Sequence, residues 1–296
     1  MIKRKLVTGF AGLGISILAI TAVVYRLKQT ESAYTHIPVT FSSASIPLME
    51  VKIEGKTYPF SLDLGSKFAL TLGKDLLSGL TKTAYGSETW QDLTGRAYES
   101  PLYCLPKVEI GGIELIEPVA QEECDEVAQY VSTTKSGKPH RPEAIGRPLL
   151  EKHNLLLNFP QSELIACNNL KKLKKAGFAI ETWTRVPFEI KGGVMLLSIN
   201  TDLGQLVFWL DTGATTSIIN PALTEEQKCV KGDYGLDTFT TSMFAIQEKE
   251  FGPMALYLWE FGSSNADGVL GMDFLKTHPV YIDYNNRQLY IGESAS

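Results

Sequence analysis

Apolar and polar positions alternate along much of this 296-residue chain, and the alternation is written twice. Met49, Val51 and Ile53 interleave with Glu50 and Lys52, a turn follows at Glu54-Gly55-Lys56, and apolar character resumes from Tyr58 to Leu62. Farther along, Met195 to Ile199 leads to a turn at Thr201-Asp202-Leu203-Gly204 and a second run from Leu206 to Leu210. β-rich runs joined by a short Gly-containing turn predict a hairpin. The second strand of each predicted hairpin delivers an aspartate: Asp63-Leu64-Gly65-Ser66 in the first copy and Asp211-Thr212-Gly213-Ala214 in the second.

The flanks repeat as well. Pro38 and Pro187 precede their aspartates by 25 and 24 residues. Downstream, Ala144-Ile145-Gly146 is answered by Val269-Leu270-Gly271, and from Gly146 to Ala166 the two copies keep one offset of 125 residues. His153 matches His278, Leu155-Leu156-Leu157-Asn158 matches Val280-Tyr281-Ile282-Asp283, and Leu164-Ile165 matches Leu289-Tyr290. A constant offset over some twenty residues marks an internal duplication. After each glycine, Arg147 to His153 and Met272 to His278 are expected to form a short helix. The pattern thus predicts an all-β fold of two lobes, residues 31–178 and 179–296, related by a pseudo-twofold axis that brings equivalent elements face to face. Between the copies, Asn168 to Ala179 carries Lys171, Lys172, Lys174 and Lys175 and reads as a solvated linker or a short helix face.

Composition adds a membrane question. An apolar content of 44% supports one large or two small cores. Residues 1–30 hold five of the 28 basic residues and none of the acidic ones, leaving 23 basic against 33 acidic in the remainder, a net charge of −10. So acidic a body argues against nucleic acid as partner. Lys3, Arg4 and Lys5 precede twenty uncharged, mostly apolar residues, Leu6 to Tyr25. That is long enough to cross a bilayer as a helix. Residues 1–30 are therefore expected to be a membrane anchor, with a cleaved signal peptide as the competing reading. The charge bias puts the globular part outside the cytoplasm, as a single-pass membrane protein or, after cleavage, a secreted one. Cys104, Cys124, Cys167 and Cys229 show no metal-ligand spacing; buried free thiols compete on at least equal terms with disulfides, and Cys104 with Cys124 is the first choice if a bridge forms.

Two carboxylates meeting between lobes define the candidate chemistry. Held about 3 Å apart they cannot both ionise, so they share one proton over a wide acidic range. The ionised member can draw a proton from water while the protonated member donates to a carbonyl oxygen, with no cofactor or metal required. Asp211-Thr212-Gly213-Ala214 with the downstream Gly268-Val269-Leu270-Gly271-Met272-Asp273-Phe274-Leu275 resembles the retropepsin branch of the aspartic proteases. Ile145-Gly146-Arg147-Pro148-Leu149-Leu150 is similar to the same family motif, so the chain looks like two retropepsin-like lobes fused in a pepsin-like arrangement.

That resemblance implies a catalytic pair, Asp63 and Asp211, in loops supported by Gly65, Ser66, Thr212, Gly213 and Ala214. Ile145-Gly146 and Leu270-Gly271 would pack beneath those loops. It implies a peptide or protein substrate, a monomer with a pseudo-dimeric core, and a flap for which Trp90 and Phe239 are the candidates. The family normally has Thr or Ser after each aspartate; Thr212 conforms and Leu64 does not. An active endopeptidase and a catalytically weak or inactive binder of peptides or proteins are the two readings. His153 and His278 are assigned structural roles, and Asp267 and Asp273 are expected to face solvent or a loop end.

Overall fold

The computed structural model describes residues 34–92, 95–124, 143–224, 229–232, 236–260 and 265–294. The predicted anchor lies outside them; among the described residues no helix is long and apolar enough to cross a membrane. From Tyr34 onward the chain forms one compact unit.

Its first half contains β1 (Thr35–Pro38), β2 (Thr40–Phe41), β3 (Pro47–Ile53), β4 (Lys56–Asp63), β5 (Leu70–Leu72), β6 (Thr83–Gln91), β7 (Ala97–Cys104), β8 (Lys107–Ile110), β9 (Ile113–Ile116), β10 (Val119–Glu122), β11 (Glu143–Gly146), β12 (Leu155–Asn158) and β13 (Glu163–Ala166). The second half repeats them as β14 (Thr184–Pro187), β15 (Glu189–Lys191), β16 (Val194–Thr201), β17 (Gly204–Leu210), β18 (Ile218–Ile219), β19 (Cys229–Lys231), β20 (Asp237–Thr241), β21 (Phe244–Ile246), β22 (Lys249–Glu250), β23 (Met254–Leu258), β24 (Gly268–Leu270), β25 (Val280–Asp283) and β26 (Gln288–Ile291). Among the described residues the four α-helices are short: α1 (Lys74–Ser78), α2 (Arg147–Leu150), α3 (Leu170–Lys175) and α4 (Met272–Leu275).

Strand order makes the duplication visible. One sheet runs β6-β7-β10-β5-β11-β4-β3-β8-β9 with β2 beside β3, and the other runs β19-β20-β23-β18-β24-β17-β16-β21-β22 with β15 beside β16. The two orders correspond strand for strand. The remaining sheet, β1-β13-β12-β25-β26-β14, joins the halves where Leu156 of β12 pairs with Tyr281 of β25. Its two middle strands, β12 and β25, read as apolar runs because both faces are covered. Leu155, Leu157 and Ile282 face the main core, while Leu156, Ile165 and Tyr281 face a smaller cluster closed by Leu173 of α3. The lysine-rich connection is thus a helix that buries Leu173 and starts at Asn169, whose Oδ1 accepts from the Lys171 and Lys172 amides.

Both predicted hairpins are present. Glu54 and Gly55 take φ of 49° and 78°, the left-handed pair that a two-residue turn between twisted strands needs. The helices expected after each glycine begin where predicted and end earlier, at Leu150 and Leu275.

The disulfide first chosen is corrected: Cys104 and Cys124 are not bridged. Val119 lies opposite Cys104 in antiparallel β10 and β7, so each step toward Cys124 moves away from Cys104. At about 3.3 Å per residue, Glu122 is already about 10 Å along, beyond disulfide reach.

Candidate active site

β4 and β17 each occupy the middle of a sheet, and each is held at its end by a strand from the downstream motif. β11 runs parallel to β4 with Gly146 opposite Asp63, and β24 runs parallel to β17 with Leu270 opposite Leu210. The glycines of these motifs are steric necessities. A Cβ on Gly146 would fall 1.8 Å from the Phe68 carbonyl oxygen, and one on Gly271 would fall 2.7 Å from the Thr216 carbonyl. Such contacts let the aspartate loops fold directly over the strand ends.

The two loops meet at their aspartates. A Cβ on Gly65 would sit 2.5 Å from Cγ of Asp211, and one on Gly213 would sit 2.9 Å from Cγ of Asp63. Each loop therefore needs glycine because the carboxyl group from the opposite lobe occupies that space. The Gly213 position is also 2.9 Å from Asp63 Oδ1 and 3.1 Å from Asp211 Oδ1, so these oxygens are at most 6.0 Å apart. The Asp63 side chain lies within hydrogen-bond reach of Asp211. Amides complete the cradle: Gly213 N–H donates to Asp211 Oδ1 at 2.7 Å and Ser66 N–H to Asp63 Oδ1 at 3.0 Å. The Gly65 amide donates to Asp211 from across the junction.

Burial separates the partners. Asp211 is 8% exposed, whereas Asp63 is half-buried. Burial first, then the negative charge of Asp63, pushes the Asp211 carboxyl well above the usual carboxylate range. The Gly213 and Gly65 amides oppose that shift without cancelling it.

Anchoring between loops is one-sided. Thr212 Oγ1 donates to the Leu62 carbonyl at 2.7 Å and accepts from the Leu64 amide at 2.9 Å, so one fully buried hydroxyl clamps the opposite loop on both sides of Asp63. Leu64 offers no hydroxyl in return. Its side chain is fully buried in the main core, a burial that contributes about 1.5–3 kcal/mol. Ser66 Oγ accepts from the Phe68 amide, and the Ala214 carbonyl accepts from the Met272 amide, tying each loop to its own lobe.

Asp273 is exposed and Asp267 sits partly exposed in the bend before β24, as expected, yet both also make bonds that the spacing did not reveal. Asp273 accepts from both the Ser217 amide and hydroxyl, at 2.9 and 2.6 Å, and Ser217 Oγ accepts from the Gly271 amide. Asp267 Oδ2 accepts from the Val207 amide at 2.8 Å. Both carboxylates fasten strands around Asp211. Sequence spacing gave no hint of this, since 56 residues separate Ser217 from Asp273. His278 stacks on Phe274 at 4.4 Å, and burial lowers the pKa of both His278 and His153, in keeping with structural roles.

The flap candidates part company. Trp90 stands on the long β6–β7 hairpin, its ring edge-on to Phe68 of the Asp63 loop at 5.9 Å and stacked on Tyr98 at 5.0 Å. Its indole N–H donates to Ser100 Oγ at 3.0 Å. Phe239 lies inside β20, opposite Leu256 and 2% exposed, so its ring packs in a core and covers no cleft. Lys67 and Phe68, which the sequence did not single out, are the loop residues that meet the β6–β7 hairpin.

No model of a known protein family matches the sequence, and no curated protein matches it. Solved structures do. An aspartic proteinase from Irpex lacteus is 14% identical with a TM-score of 0.59, over 89% of this chain and 98% of its own. Basic 7S globulin from soybean is 12% identical with a TM-score of 0.60, over 89% and 96%. Conglutin gamma, a basic 7S globulin from lupine seeds, is 10% identical with a TM-score of 0.58, over 90% and 96%. At such identities the likeness concerns the fold, and the chain has the two-lobed, all-β fold of the pepsin-like aspartic proteinases.

Proposed function

We propose that this chain is a membrane-anchored aspartic-type endopeptidase that hydrolyses peptide bonds through Asp63 and Asp211. The observation that carries the reading is the reciprocal fit of each loop's glycine against the other loop's carboxyl. Two turn aspartates with unrelated roles would have no reason to exclude a Cβ from each other's loops.

In this reading the environments divide the labour. Asp211, kept protonated by burial and by its neighbour's charge, donates to the oxygen of the scissile carbonyl. Asp63, the more exposed member, takes a proton from a water that attacks the carbonyl carbon. The resulting tetrahedral diol collapses as Asp63 passes its newly gained proton to the leaving nitrogen, Asp211 takes back a proton from a diol hydroxyl, and the C–N bond breaks, restoring the starting protonation of the pair. An extended peptide would lie between the dyad and the β6–β7 hairpin, with Trp90 over it. Residues 1–30 would hold the chain in a membrane with its lobes outside the cytoplasm.

Leu64 supports a second reading, a catalytically weak or inactive protein that binds peptides or proteins. The same fold is named a proteinase in one neighbour and a seed globulin in another, so fold alone decides neither. Incubation of the full-length chain in detergent with a broad peptide library between pH 3 and 7 separates the two. Cleavage that falls by about 10³-fold or more in both Asp63→Asn and Asp211→Asn supports the peptidase. Binding without cleavage supports the second reading. Cleavage that survives either substitution overturns the dyad.

A further inference from the structure

We propose that Lys67 and Glu88 form a charged latch that holds the β6–β7 hairpin against the loop carrying Asp63. Lys67 follows Asp63 by four residues, and its Nζ lies 2.5 Å from Glu88 Oε1 on β6. Glu88 and Trp90 are two apart on one strand and therefore share a face. Those two positions meet two successive loop residues: Glu88 pairs with Lys67, and Trp90 packs edge-on against Phe68.

The two ends of the latch differ in support. Lys67 is braced by the opposite lobe, since a Cβ on Gly193 of the β15–β16 turn would lie 2.6 Å from Lys67 Cβ. Gly193 is itself held, its carbonyl accepting from Nε and Nη2 of buried Arg147 at 3.2 Å each. β6, in contrast, is the edge of its sheet and is paired only to β7, with all its residues exposed except Trp90. A fixed cation thus faces an anion on an edge hairpin.

Both partners are partly exposed, so the pair is weak enough to open readily. Release also frees Lys67 within the loop carrying Asp63. The latch goes beyond the peptidase reading, and its test does not depend on cleavage.

Hydrogen exchange of the full-length chain in detergent, followed by mass spectrometry over residues 83–104, reads the latch directly. At low salt, Glu88→Gln and Lys67→Met should each accelerate exchange in this segment about 2–5-fold, and the double variant should add nothing further. Added salt should accelerate the wild type and leave the variants unchanged. The charge-reversed pair, Lys67→Glu with Glu88→Lys, should restore protection. Exchange over β16 and β17 should stay constant, showing that the fold is intact. Wild-type exchange that is insensitive to salt and equal to that of folded variants overturns the latch. Failure of peptide cleavage alone would count against the proposed activity and leave this result standing.

Discussion

The aspartate loops of the two lobes solve the same geometric problem by different means. Around Asp211 the fastening is polar: Thr212 reaches across to Leu62 and Leu64, while Ser217, held by Asp273, takes the Gly271 amide. Around Asp63 the corresponding Gly146 amide goes to the Ala69 carbonyl, and the position of the second hydroxyl is filled by buried Leu64. One threonine can clamp both loops because a hydroxyl donates and accepts at once. Strand pairing and apolar packing then suffice to hold the first loop from its own side.

The largest effect should come from removing the single clamp. Thr212→Val keeps the shape and deprives the Leu62 carbonyl and the Leu64 amide of their partner. Two buried backbone groups left unpaired should cost about 2–5 kcal/mol, measurable by urea unfolding. A loss below about 0.5 kcal/mol would mean that the cross-loop bonds do not fasten the site.

Leu64→Thr tests the other side of the comparison. Because Leu64 fills an apolar pocket, the threonine should destabilise the chain by about 1–3 kcal/mol and bring no gain in peptide cleavage. A stable variant with faster cleavage would show that the missing hydroxyl is a handicap.

A smaller, pH-dependent effect is expected at Asp211. Its folded pKa is raised, so its contribution to stability is fully present below the unfolded carboxylate pKa and is lost as pH rises through the folded value. Asp211→Asn should therefore gain on the wild type as pH is raised from 3 to 7, as measured by urea unfolding at each pH. A gap between the two proteins that stays constant over this range would place the raised pKa in doubt.

Much of this fold was legible because the central sheet buries both faces. That burial left apolar runs such as Leu155-Leu156-Leu157 and Val280-Tyr281-Ile282, whose register survives in the two copies as one offset. The aspartates and their glycines were legible for a steric reason: only glycine admits the opposing carboxyl. What the sequence hid depends on contacts between distant segments. Asp273 is the surface carboxylate it reads as, but its bonds to Ser217 are invisible in the spacing, and Phe239 reads as a hairpin aromatic until it is found almost fully buried. The separation of Cys104 from Cys124 follows from strand direction, which spacing alone does not reveal.

The central claim is that Asp63 and Asp211 share a proton, and side-chain carboxyl NMR of the full-length chain in detergent tests it most directly. Asp211 should titrate well above the usual carboxylate range, and Asp63→Asn should lower its pKa by removing the neighbouring charge. An Asp211 that titrates in the usual range, or that is indifferent to Asp63→Asn, would contradict the account.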